Sequence, residues 1–146
     1  MISWELKYYQ ELSTELLYLI LKTRQEVFVI EQQCNYLDVD NLDQKSRHLM
    51  GFQDDKLVAY MRIVDKNTIY KHVSLGRILI VKEYRGKGLG CELMNKAIDL
   101  IDIQKEPVVM SAQSYLINFY QNFGFKIVGD EYLEDGIPHI KMIRYG

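Results

Sequence analysis

Leu75-Gly76-Arg77-Ile78-Leu79-Ile80-Val81-Lys82-Glu83-Tyr84-Arg85-Gly86-Lys87-Gly88-Leu89-Gly90 runs from an apolar strand into a basic, glycine-dense turn. A helix follows at once, because Leu89, Leu93, Ala97 and Leu100/Ile101 recur at helical spacing. Such a join suits anionic oxygens: backbone N–H groups freed by the turn, together with the helix macrodipole, form a concave positive site. Arg85 and Lys87 add charge, and Gly86, Gly88 and Gly90 let the backbone approach a ligand without Cβ interference.

Spacing excludes two common phosphate loops. The G-x-x-x-x-G-K-[ST] pattern is absent, and a dinucleotide fingerprint starting at Gly86 needs its third glycine where Cys91 stands. What remains is R-G-x-G-x-G over Arg85–Gly90. Alone, it reads equally as a softened loop that merely starts a helix. The strand before it, the basic pair within it and the helix after it favour a ligand.

Composition narrows the setting. The chain has 146 residues, enough for one domain over 1–146 with a substantial core. Hydrophobic residues make up 48% and charged residues 26%, and the net charge is −2, which argues against nucleic acid or an anionic membrane as the main partner. No apolar run approaches the ~20 residues of a membrane span, and Met1–Glu5 lacks a signal-peptide pattern. Cys34 and Cys91 are too few and too far apart for a disulfide framework or a metal site, so no metal and a reducing cytoplasm are expected.

Along the chain, Trp4, Leu6 and Tyr8 alternate as in a half-buried strand. Ser13 is a natural N-cap for a helix ending near Glu31, its stripe built on Leu16, Ile20 and Val27. Residues 31–45 are polar, acidic and aperiodic. They form either a solvated loop or an acceptor-binding loop whose carboxylates attract a cationic amine. Arg47–Gln53 and a strand with Leu57, Ala59, Met61 and Ile63 make a hairpin. The helix after the glycine turn ends about Asp102–Gln104. Pro107–Ala112 is an apolar central strand. Ser114 caps a short helix over Tyr115–Phe123, stopped by Gly124, and strands over Phe125–Gly129 and Pro138–Arg144 close the chain around a turn at Glu134-Asp135-Gly136. The order β-α-β-β-β-α-β-α-β-β gives class α/β (α+β), a mixed sheet flanked by helices.

R-G-x-G-x-G resembles the pyrophosphate loop of the Gcn5-related N-acetyltransferases (GNAT), which hold acetyl-CoA this way. Tyr120-Gln121-Asn122-Phe123-Gly124-Phe125 resembles that family's Y-x-x-x-G-F segment, and the element order matches. Arg24–Gln32 and Glu134–Ile140 are similar to the ElaA-like branch. The resemblance implies a GNAT acyl-CoA N-acyltransferase fold whose mixed sheet splits between two core strands ending at Val81 and Ala112. Coenzyme A fills the gap.

It also implies roles. Arg85, Gly86, Lys87, Gly88, Leu89, Gly90 and Cys91 wrap the pyrophosphate, while Ile78, Leu79 and Ile80 pair with the pantetheine arm. Gln113 stands where many relatives use asparagine on that arm. A backbone N–H near Ile80–Val81 stabilises the oxyanion, and Tyr120 protonates the leaving thiolate as general acid, phenol and thiol having comparable pKa values. Val108–Ala112 lacks the carboxylate base that some relatives carry. Glu31 and His139, ahead of His48, are the candidate bases on the acceptor side, though each also has a plain structural reading. Cys34 and Cys91 are poor acyl carriers. The acceptor is a small-molecule amine or a protein or peptide amine, and an open groove between 31–45 and 131–138 favours peptides whereas a closed pocket favours small amines. Homodimerisation stays open, as do a non-catalytic acyl-CoA-binding module and an enzyme using a longer acyl group.

Overall fold

Alternation, capping and helical periodicity produce the expected element order in the computed structural model, which describes residues 1–102 and 105–146. The elements are β1 (Ser3–Tyr8), α1 (Thr14–Arg24), β2 (Ser46–Gln53), β3 (Lys56–Val64), β4 (Val73–Ile80), α2 (Leu89–Asp102), β5 (Val108–Gln113), α3 (Ile117–Gln121), β6 (Lys126–Glu134) and β7 (Ile137–Arg144). The expected end of α2, Asp102–Gln104, extends outside the described residues.

Ser13 caps α1, its hydroxyl accepting from the Leu16 N–H at 3.1 Å. The helical path reaches Glu31 as expected, but Gln25–Glu31 adopts the wider π pitch, with Val27 and Phe28 buried. Such segments are rare and concentrate at functional sites. The short helix near Tyr120 differs from expectation: a 3₁₀ turn, Ser114–Leu116, precedes α3. The Ile117 N–H bonds to the Ser114 carbonyl, so the Ser114 hydroxyl caps nothing and lies buried without a partner. β6 also outruns its expected end at Gly129. That glycine takes φ 86° in an irregularity between Val128 and Tyr132, after which pairing with β7 resumes to Glu134.

Among the described residues, seven strands form one sheet in the order β1-β2-β3-β4-β5-β7-β6. Every neighbouring pair is antiparallel except β4–β5, which meet in parallel only at Val73↔Val108, Ser74↔Val109 and Leu75↔Met110. A bulge in β4 accompanies the split. Tyr60 faces Leu79 and Arg62 faces Gly76, so Arg77 and Ile78 together oppose the single residue Met61. Arg77 takes φ 51°, an uncommon conformation for a side-chain-bearing residue. A bulge bends its strand, and β4 leaves β5 here.

Cores lie on both faces. Leu49 and its partner Met61 join one cluster with Leu93, Met94 and Ala97 of α2. Met50 and its partner Tyr60 join the other, with Ile20 of α1 and Val27 and Phe28 of the π segment. β1 is tied to α2 through Trp4, whose Nε1 donates to Glu92 Oε1 at 3.1 Å. Gly51 makes room for this indole, since a Cβ there would lie 2.7 Å from the ring.

Candidate functional site

The divergence of β4 and β5 opens a cavity of about 720 Å³. Its wall takes Ile78, Leu79 and Ile80 from β4, Ser111 and Gln113 from β5, Tyr120 from α3 and His139 from β7. Glu31, Arg85 and Gly90 complete the part the sequence anticipated. The remaining loop residues lie beyond this wall. Leu89 is buried in the core, the Lys87 ammonium rests 5.5 Å from the Tyr84 ring centre, and Cys91 is exposed.

The glycine turn is a backbone device. Gly86 and Gly88 hold φ 78° and 79°, where side chains are strained, and an added Cβ at either meets open space. At the start of α2, Glu92 N–H bonds to Gly88 O at 3.2 Å, so the N–H groups just before it precede the helical ladder. This cradle fits a pyrophosphate on the strength of its N–H groups and open space.

On β4 the expected oxyanion donor is narrowed to one residue. The Val81 N–H donates to Val58 O at 2.9 Å and is spent. Alternation then turns Ile80 away from β3, and its carbonyl accepts from Arg85 Nε at 2.9 Å. Ile80, not Val81, therefore presents its amide toward the fork.

The Tyr120 ring is buried, edge-on to Phe119 at 5.2 Å and to Phe125 at 6.3 Å. Burial, and then neighbouring Tyr115, push its pKa well above the ordinary phenol value. The near-match with a thiol expected from model acidities therefore does not hold for the phenol in place. The group stays protonated and ready to donate.

The candidate bases separate. Glu31 binds both terminal nitrogens of Arg85, Oε1 accepting from Nη2 at 3.0 Å and Oε2 from Nη1. With Nε on Ile80 O, protein groups hold three of the five N–H donors of the guanidinium that the resemblance places on the pyrophosphate. His48 is buried outside the cavity wall, its ring between the Tyr60 hydroxyl at 2.6 Å and Asp43 O at 3.0 Å. Burial lowers its pKa, so it serves as a neutral structural group. His139 is buried yet lines the cavity. Its Nδ1 donates to Ile137 O at 2.7 Å, because a carbonyl only accepts, and this leaves Nε2 as the proton-accepting nitrogen of the neutral ring.

The acidic 31–45 loop departs from both readings, the solvated loop and the carboxylates waiting for a cationic amine, because Asp38 and Asp43 are buried against arginines. Arg24, fully buried, donates to Asp38 Oδ2 at 2.9 Å and Asp43 Oδ1 at 2.6 Å. Arg62 donates to Asp40 Oδ1 and Oδ2, both at 2.8 Å, and to Asp43 Oδ1 at 3.0 Å. Arg77 Nε lies 2.8 Å from Asp38 Oδ1 and its Nη2 reaches Asp40 Oδ2 at 3.2 Å. Burial alone would raise the pKa values of Asp40 and Asp43; hydrogen bonds and charge from the arginines outweigh it and hold both below the usual carboxylate range. Three aspartates neutralise three arginines, and through Arg77 the loop pins the bulge that opens the fork.

Sequence reasoning missed Glu134, read only as part of a turn. Its Oε1 accepts from Ser111 Oγ at 3.3 Å, and Ser111 also hydrogen-bonds the Tyr132 hydroxyl. Its Oε2 lies 3.5 Å from His139 Nε2. A carboxylate thus reaches β5 from the neighbouring hairpin. The signal was available in register: Tyr132 opposes His139, which brings Glu134 beside that histidine. The 31–45 and 131–138 segments also touch, the Cys34 thiol donating to Asp135 O at 3.4 Å.

Comparison with known proteins gives concordant findings. A family model described as an acetyltransferase (GNAT) domain matches residues 11–145. Protein ElaA of Escherichia coli K12 is 42% identical over 148 aligned positions, covering 99% of this chain and 97% of that protein. The crystal structure of Escherichia coli ElaA superimposes with a TM-score of 0.92 at 41% identity, covering 99% of both chains. A structure described as an acyl-CoA N-acyltransferase from Pseudomonas aeruginosa gives a TM-score of 0.94 at 40% identity, again over 99% of both chains.

Proposed function

The chain belongs to the acetyltransferase (GNAT) family, on its ElaA-like branch, and on that premise we propose that it transfers acetyl from acetyl-CoA directly to a primary amine within a ternary complex. The observation that carries this reading is the β4–β5 fork, with Ile80 on one lip, Gln113 on the other and Tyr120 in its wall.

When bound, acetyl-CoA supplies the activated acetyl thioester; the rest is the work of this chain. The glycine turn and the start of α2 receive the pyrophosphate. Ile78 and Ile80 offer backbone partners to the arm while Leu79 between them faces β3, and Gln113 adds its amide. The Ile80 N–H steadies the developing oxyanion, a donor worth ~3 kcal/mol of barrier. Tyr120 gives its proton to the departing sulfur. His139 Nε2 takes a proton from the attacking nitrogen, a role for which it is better placed than Glu31, tied to Arg85. Over the reaction the ammonium nitrogen loses two protons; one ends on sulfur and the other leaves to solvent.

Contact of Cys34 with Asp135 supports a closed pocket and hence a small amine over a peptide. Two free cysteines, one of them exposed, suit a reducing cytoplasm; among the described residues no helix is long and apolar enough to cross a membrane.

A thiol-release assay over an amine panel tests the function. Acetyl-CoA is turned over with at least one small primary amine, and Tyr120→Phe lowers kcat by roughly 10²–10⁴-fold with coenzyme affinity unchanged. Because the Tyr120 pKa is raised, the wild-type rate does not fall as pH rises to the ordinary phenol value of about 10. Tight acetyl-CoA binding with no amine turned over would instead identify a non-catalytic module.

A further inference from the structure

Four carboxylates line the cavity: Glu31, Asp40, Glu134 and Asp135. Arginine neutralises two of them, Glu31 through Arg85 and Asp40 through Arg62 and Arg77. Among the described residues, neither Glu134 nor Asp135 forms an ion pair with an arginine or lysine. Lys141, a cation on this side of the sheet, lies 4.9 Å from the Tyr70 ring centre instead.

Around Glu134 the hydrogen bonds account for one carboxylate oxygen and not the other. Ser111 Oγ donates to Oε1, and the Tyr132 hydroxyl donates in turn to Ser111. Oε2 faces His139 Nε2 at 3.5 Å. Since Nδ1 carries the ring proton that Ile137 O accepts, Nε2 of the neutral ring is an acceptor as well. In that tautomer the two acceptors face each other at 3.5 Å, and a proton added at Nε2 would lie between them. Tyr132 stacks on the imidazole, ring centres 6.3 Å apart, and steadies its plane. A group that bridges both atoms must offer two donors, as a primary ammonium does, and the carboxylate, unpaired with any arginine or lysine among the described residues, favours a cation there.

We propose that Glu134 and His139 form the binding site for the acceptor's ammonium, a small primary amine docking as a cation with one N–H on Glu134 Oε2 and another on His139 Nε2. This deepens the acyltransferase reading and rests on it. The ammonium N–H bond directed at Nε2 breaks, its electron pair remains on nitrogen, and that lone pair attacks the thioester carbon. The proton rests on His139 as an imidazolium held between Ile137 O and Glu134 until it passes to solvent; the C–S bond breaks with Tyr120 protonating the sulfur, and the second proton lost from nitrogen restores the Tyr120 phenol. Glu134 touches the substrate's nitrogen and also stabilises the charge left behind.

The test uses the full chain, labelled with ¹⁵N at histidine, near neutral pH, with and without saturating coenzyme A. The probe is n-butylammonium chloride, and n-butanol is the uncharged control. The readout is the His139 Nε2 signal. Butylammonium shifts it saturably and butanol does not. Glu134→Gln weakens the response roughly tenfold or more, the loss expected for a hydrogen bond to a charged group. Coenzyme A affinity and melting temperature stay unchanged, the Glu134 side chain being 48% exposed. The proposal is overturned if Nε2 is already protonated, if butanol acts like butylammonium, if no saturable shift occurs, or if Glu134→Gln binds the amine as tightly as wild type. Failure of coenzyme A to bind wild type would strike the acyltransferase reading instead, while the titration without coenzyme still decides the ammonium site.

Discussion

Arg24→Met removes a fully buried guanidinium and its three hydrogen bonds, to Asp38 Oδ2 at 2.9 Å, Asp43 Oδ1 at 2.6 Å and Asp38 O at 3.2 Å. Methionine fills much of the stem's volume, so the loss is mainly electrostatic. Each orphaned carboxylate keeps another partner: Asp38 retains Arg77 Nε at 2.8 Å, and Asp43 retains Arg62 Nη1 at 3.0 Å. The cost therefore falls at the lower end of the range for breaking a buried pair, about 3 kcal/mol. For a chain of this length that is a drop in Tm of roughly 6–12 °C. The pH dependence is diagnostic. Asp43 is buried, which alone would raise its pKa, yet bonds and charge from Arg24 and then Arg62 depress it. A depressed folded pKa contributes stability above the unfolded value, about 3.9, and that contribution disappears as pH falls through the folded value. Arg24 itself stays charged throughout, since its pKa is held above the ordinary value: burial lowers it, but Tyr60, Asp43 and Asp38 more than compensate. Urea unfolding at a series of pH values should show the full gap between variant and wild type near neutrality, narrowing below about pH 4. A neutral-pH gap under about 1 kcal/mol, the level of a surface pair, or a gap constant into acid, would refute the reasoning.

Three further outcomes are expected. Gly88→Leu places a side chain at φ 79° in the turn and should abolish coenzyme A binding by calorimetry; unchanged affinity would remove the pyrophosphate from this loop. Glu31→Gln weakens the hold on the Arg85 fork, so coenzyme A should bind more tightly, by up to about fivefold for a pair this exposed; weaker binding would mean that Glu31 orients Arg85 for the ligand. Gly51→Ala forces a Cβ to within 2.7 Å of the Trp4 ring and should lower stability by about 1–3 kcal/mol in a denaturant titration, with coenzyme binding retained.

What could be read from the chain was what is local. The glycine turn, the Ser13 cap and the strand that becomes β4 depend on neighbours within a few residues, and they form as expected. The acidic loop misled because Asp38, Asp40 and Asp43 look solvated until Arg24, Arg62 and Arg77 arrive from three other elements. No short pattern encodes that meeting. The β4 bulge is hidden for the same reason, since Arg77 at φ 51° is clasped by the loop at Asp38 and Asp40. Whether Val81 or Ile80 keeps an available amide depends on the β3 register, down to the bond from Val81 to Val58. Glu134 was missed because its place near Ser111 needs both the irregularity at Gly129 and the hairpin register. Side chains that meet across the sheet are set by pairing, and pairing is a property of the whole fold.

Among the described residues, three parallel rungs join β1–β4 to β5–β7 along the sheet. That seam works like a partly fastened zip, and a coenzyme arm that paired with Ile78 and Ile80 on one lip and Gln113 on the other would act as its missing teeth. Occupancy should slow amide exchange on both lips together. A hundredfold excess over Kd adds about 2.7 kcal/mol to the stability of the folded state. On the proposed function, a supply of acyl-CoA would then stabilise the folded state as well as feed the reaction.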